Sequence, residues 1–163
     1  METVKQRAPL LHLRRDVGPT ERVLVVDDEP AIRALIAKIV DRAGLLVDTA
    51  EDGADAIEHL EANQYSVIVL DLMMPNVDGF ALIEYLRERP GEKPAIIVIS
   101  AGEPAALRQL DGSVVHSIVR KPFDIDVLGD LISAAARART QEKESAQPGA
   151  DVLPFPRTSD SVC

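Results

Sequence analysis

The segment Arg22-Val23-Leu24-Val25-Val26-Asp27-Asp28-Glu29-Pro30 changes character halfway along. Residues 23–26 are Val or Leu at every position. A strand apolar at consecutive positions is buried on both faces, as in a parallel sheet with helices on either side. Asp27 and Asp28 stop the run, and Pro30 suits the first turn of a helix, where its missing N–H would have no partner. Beyond it Ile32, Leu35, Ile36 and Ile39 keep the 3.6-residue period of a one-sided helix. Gly44 stands where a left-handed helix stop is expected.

The same alternation continues to the end of the regular chain. Strands are predicted over 22–26, 45–49, 66–70, 95–100 and 117–120. Helices are predicted over 30–43, 54–64, 78–88, 104–110 and 124–138, with Asp78 and Asp124 as N-caps. The runs 67–70 and 96–99 are, like 23–26, apolar throughout and belong at the centre of the sheet. Five strands alternating with five helices give an α/β fold with right-handed crossovers. The expected architecture is a doubly wound five-stranded parallel sheet in the flavodoxin-like order 2-1-3-4-5.

Composition sets bounds on function. The chain has 163 residues and a net charge of −9, with 3% aromatics and no Trp. An acidic surface repels phosphate backbones, so direct nucleic-acid binding is disfavoured. No apolar run reaches the roughly 18 residues of a membrane span, which makes the cytoplasm the expected location. Cys163 alone supports neither a disulfide nor a Cys-based metal site. His12, His59 and His116 have no partner pattern and read as surface or loop residues. Residues 1–20 are a net basic N-terminal extension, 21–139 the domain, and 140–163 a Ser/Pro/Glu/Gly-rich tail read as disordered. Within the tail, Val152-Leu153-Pro154-Phe155-Pro156 is a short apolar stretch with the makings of a docking peptide, but the composition favours a plain solvated tail.

Chemistry collects where strands end. In an open parallel sheet the carboxyl ends of all strands lie along one edge, where ligands bind. Asp27 and Asp28 end the first strand, Asp71 the third and Ser100 the fourth, and Lys121 follows the fifth. Two carboxylates about 5 Å apart repel by roughly 3 kcal/mol at an effective dielectric of 20, so the cluster calls for a cation or a proton. Mg²⁺ suits carboxylate oxygens completed by water and phosphate. Lys121 and Ser100 add a charge and a hydroxyl for an incoming phosphoryl group, and a carboxylate can serve as its nucleophile. Taken singly, each Asp reads as a cap or turn residue, Ser100 as a turn hydroxyl and Lys121 as a surface charge. Their coincidence at one sheet edge favours the functional reading.

Four blocks, Val25-Val26-Asp27-Asp28-Glu29-Pro30, Asp71-Leu72-Met73-Met74-Pro75-Asn76-Val77-Asp78-Gly79, Ser100-Ala101 and Lys121-Pro122-Phe123, resemble the signature of bacterial response-regulator receiver domains over about residues 21–139. The resemblance implies that Asp71 is the phosphorylated aspartate. It implies Asp28, Asp71 and the Met73 carbonyl as direct Mg²⁺ ligands, with Asp27 acting through water. Lys121 would pair with the phosphoryl group, Ser100 would swing toward it, and the Ala101 amide would add a donor. It implies a cis bond before Pro122. Implied partners are a sensor histidine kinase or histidine phosphotransfer protein docking near Ile32 and Ile36, a downstream protein target, and a homodimer on phosphorylation. The 23 or so residues after the last predicted helix are too few for an output domain, so a stand-alone phosphoacceptor switch, not a classical enzyme, is expected.

Three positions depart from the family pattern. Ile118 stands three before the lysine, where members often carry Tyr or Phe, and its β-branched, apolar setting predicts a buried residue. Met73 and Gly102 stand where members can hold polar groups that orient the hydrolytic water, so a long-lived acyl phosphate is expected. A pseudo-receiver that is never phosphorylated is the main alternative, though such modules usually lose an acid or the lysine, and both are present here. An aspartate-nucleophile phosphatase wants a second Asp at position 73, which is Met.

Overall fold

The computed structural model describes residues 21–74, 79–101, 107–108, 110 and 112–145. Its strands are β1 (Arg22–Val26), β2 (Leu46–Ala50), β3 (Val67–Asp71), β4 (Ala95–Ser100) and β5 (Val115–Arg120). All pair in parallel in the order β2-β1-β3-β4-β5, the predicted topology. Four helices lie among the described residues: α1 (Pro30–Arg42), α2 (Gly53–Ala62), α3 (Gly79–Glu88) and α4 (Ile125–Ser145). The helix predicted over 104–110 and the Asp78 cap fall mainly or wholly outside the described residues, as do His12, the segment 152–156 and Cys163.

Two cores flank the sheet, and alternation along each strand decides which residue enters which. Leu24, Val26, Ile68, Leu70, Ile96 and Val98 meet Ala56 and Leu60 of α2 and Leu82 and Leu86 of α3. Val23, Val25, Val67, Val69, Ile97 and Ile99 meet Ile36, Ile39 and Val40 of α1 and Leu128, Ile132 and Ala135 of α4. The central strands are therefore apolar over residues 23–26, 67–70 and 95–99, because both faces are covered there, and turn polar only at their ends. Each fully buried Leu or Ile contributes about 1.5–3 kcal/mol.

Helix ends follow local chemistry. Pro30 occupies the first turn of α1, and Glu29 caps it without a side-chain bond, so Asp28 is not the cap. Gly44, at φ +84°, reverses the chain after α1, with its N–H on the Asp41 carbonyl. A residue with a Cβ would be strained there. Asp52 caps α2 by accepting the Asp55 N–H at 2.8 Å. Asp124 caps α4, accepting the N–H groups of Asp126 and Val127 at 2.8 and 3.0 Å.

Two expectations are corrected. Helix α4 continues to Ser145 rather than stopping at Ala138, so the stretch 141–145 is helical. Arg139 pairs with Glu142 at 3.1 Å, one turn on, and Lys143 lies within 3.8 and 3.9 Å of Glu21 and Glu92. Ile118 is 44% exposed, not buried. It sits opposite Val98 on β5, an edge strand with a neighbour on one side only. No helix among the described residues is long and apolar enough to cross a membrane.

Candidate functional site

The carboxyl edge of the sheet brings together Asp27, Asp28, Asp71, Ser100 and Lys121. Parallel pairing of β1 with β3, Val26 opposite Leu70, places Asp27 beside Asp71 across neighbouring strands. Asp27 and Asp71 are buried while Asp28 is exposed. One carboxylate oxygen from each of the three lies within 4.8 Å of the others. Ser100 is buried at the end of β4, and Ala101 follows it at the surface.

Lys121 reaches the cluster from the end of β5. Its Nζ stands 3.3 Å from Asp27 Oδ2 and 3.3 Å from Asp71 Oδ2. Its backbone N–H donates to the Ser100 carbonyl at 3.2 Å, and the Lys121–Pro122 bond is cis, as expected. The second oxygens are held by the backbone. Asp27 Oδ1 accepts the Glu29 N–H at 2.9 Å, and Asp71 Oδ1 accepts the Met73 N–H at 3.1 Å. Met73 points its side chain largely into solvent, at 61% exposure.

Burial raises the Asp71 carboxyl above the usual range, and the Asp27 charge adds to this, against the Met73 N–H and Lys121, which favour the anion. Burial works against the Lys121 charge, but Asp71 and Asp27 outweigh it and hold the ammonium above its ordinary value. Lys121 thus pairs with two of the three carboxylates, Asp27 and Asp71, and the cluster keeps an excess of negative charge. Hard oxygen donors this close together fit a hard divalent cation such as Mg²⁺.

Two contributors were missed from sequence. Arg33 Nη1 donates to the Asp27 carbonyl at 2.7 Å. The one available signal was a cation in the opening turn of a helix, where the dipole disfavours it. Gly79 donates its N–H to the Leu72 carbonyl at 3.0 Å, and a Cβ there would lie 2.5 Å from Leu72 Cα and 2.9 Å from the Asp71 carbonyl oxygen. The start of α3 therefore presses on the backbone that carries Asp71. His59 and His116 take no part. The first lies 3.7 Å from Asp55 and the second contacts Ser117.

Comparison with known proteins agrees with this geometry. The family profile described as response regulator receiver domain matches residues 23–133. The transcriptional regulatory protein TcrA of Mycobacterium tuberculosis is 34% identical over 117 residues, covering 71% of this chain and 46% of TcrA. This chain thus spans under half the length of that relative. The Francisella response regulator 1452 receiver domain superposes with a TM-score of 0.66 at 30% identity, covering 73% of this chain and 98% of that one. TrrA of Thermotoga maritima, solved in complex with Mg²⁺ and BeF, gives 0.64 at 29% identity, covering 71% and 99%. With strand order, acidic cluster and lysine all in place, the chain belongs to the response regulator receiver domain family.

Proposed function

We propose that Asp71 accepts a phosphoryl group from a phosphohistidine on a sensor histidine kinase or phosphotransfer protein, and that the phosphorylated form switches contacts with a downstream protein in the cytoplasm. The observation that carries this reading is the buried Asp71 carboxylate, paired with Lys121 and set against Asp27 and Asp28 at the carboxyl edge of the sheet. The Mg²⁺ and BeF bound in the TrrA structure supports the same chemistry here.

Asp28, Asp71 and the Met73 carbonyl would hold Mg²⁺ directly, and Asp27 through water. The ion would screen charge on the phosphoryl oxygens. The protein's own residues do the rest. The Met73 N–H fixes one Asp71 oxygen, which orients the other for in-line attack. An O–P bond forms as the P–N bond breaks, and the electron pair returns to the imidazole nitrogen. Lys121 then exchanges its carboxylate partner for the phosphoryl oxygens, and the Ser100 hydroxyl and Ala101 N–H donate to them. A tenfold shift in the switch needs a preference of about 1.4 kcal/mol for one conformation.

Incubation with a small phosphodonor and Mg²⁺ should add one phosphoryl group, mapped to Asp71 and lost in Asp71→Asn. Labelling elsewhere, or labelling that survives the substitution, would defeat the proposal.

A further inference from the structure

We infer that Arg33 is a positioning residue for the acidic pair, holding the peptide between Asp27 and Asp28 so that Asp28 faces Asp71. The inference rests on the proposed Mg²⁺ site and adds a residue that no part of that site names. Arg33 is tied twice to the turn between β1 and α1. Its backbone N–H donates to the Glu29 carbonyl at 2.9 Å, and its Nη1 donates to the Asp27 carbonyl at 2.7 Å. A charged donor at that distance makes a strong hydrogen bond.

The carbonyl it holds matters because of where it lies. The peptide unit is planar, so fixing the Asp27 C=O fixes the amide of Asp28 and the axis from which the Asp28 side chain departs. Asp27 needs no such help. It is buried, its N–H donates to the Ala50 carbonyl at 3.2 Å, and both its carboxylate oxygens are bonded. Asp28 is exposed, so its direction comes from the backbone rather than from packing. Arg33 is then the link between the rigid helix α1 and the outermost carboxylate of the cluster.

Charge and positioning predict opposite signs. If Arg33 acted only as a nearby cation, removing it would make the cluster more negative and tighten Mg²⁺. If it positions Asp28, removing it weakens Mg²⁺, since partners that orient metal ligands are worth about 10–100-fold in affinity. We expect Arg33→Ala to raise the Mg²⁺ dissociation constant at least about tenfold by calorimetry, and Arg33→Lys, which keeps a donor and the charge, to recover part of it. Without Mg²⁺, the backbone amide signals of residues 27–29 should shift in Arg33→Ala by NMR, while those of β4 stay in place. Should Arg33→Ala fail to fold, Arg33→Gln takes its role and is expected to weaken binding too. Unchanged or tighter Mg²⁺ binding in these variants, with a wild type that binds, overturns the inference alone. A wild type that binds no Mg²⁺ overturns both it and the function proposed above.

Discussion

Asp71→Asn should make the metal-free protein more stable. At separations of no more than 4.8 Å, two carboxylate oxygens repel by at least about 3.5 kcal/mol at an effective dielectric of about 20. The Lys121 ammonium at 3.3 Å attracts Asp71 by about 5 kcal/mol on the same scale. Neutralising Asp71 removes its repulsion with both Asp27 and Asp28 and loses the one attraction. At that limit the balance is a stabilisation of about 2 kcal/mol, or an increase of about 4–8 °C in Tm. Urea unfolding in EDTA, followed by circular dichroism, measures it. Mg²⁺ should then reverse the ranking, because an excess of roughly 100 times the dissociation constant adds about 2.7 kcal/mol to whichever protein binds it. The pH dependence has a definite sign. Burial, assisted by Asp27, raises the Asp71 carboxyl in the folded state above the ordinary value of 3.8. Between those two values the folded protein binds more protons than the unfolded one. Metal-free stability therefore falls as pH rises through that window, and Asp71→Asn lacks this component of the slope. A variant less stable than wild type in EDTA, or equal stabilisation of both by Mg²⁺, would refute the electrostatic account of the cluster.

Lys121→Met should go the other way in EDTA, losing about 3–5 kcal/mol because two buried acids lose their partner, while calorimetry should show Mg²⁺ binding more tightly once the competing cation is gone. Gly79→Ala should destabilise the protein in the same unfolding assay, since a Cβ 2.5 Å from Leu72 Cα meets backbone that cannot swing aside. Overpacking of up to about 3 kcal/mol exceeds the helix gain of about 1 kcal/mol, and phosphorylation at Asp71 should fall with it. Met73→Asn places a polar group beside Asp71 at an exposed position, and should shorten the lifetime of the aspartyl phosphate by about tenfold or more by orienting water, measured by decay of the phosphorylated mass.

What could be read from sequence depended on whether a residue's own side chain carried the information. The central strands were readable because two covered faces demand apolar groups, as β3 shows with four buried apolar residues in a row, Val67 to Leu70, before Asp71. The cluster was readable because Asp, Lys and Ser declare their chemistry, and strand ends in a parallel sheet share one edge. Ile118 was misread because its burial depends on what lies beside β5, and an edge strand leaves a flank open whatever residue stands there. The end of α4 was misread because Arg139 to Ser145 is polar enough for either a helix surface or a tail. Contacts of Lys143 with Glu21 and Glu92, distant in sequence, favour the helix. Arg33 stayed hidden for a different reason. Its partner is a carbonyl, a group that every residue has, so nothing at position 27 distinguishes a turn held by Arg33 from one that is not. The acids of this site are written in side chains, and their alignment in backbone. For that reason Arg33, rather than another acid, is where a close relative with intact Asp27, Asp28 and Asp71 should be able to lose Mg²⁺ affinity.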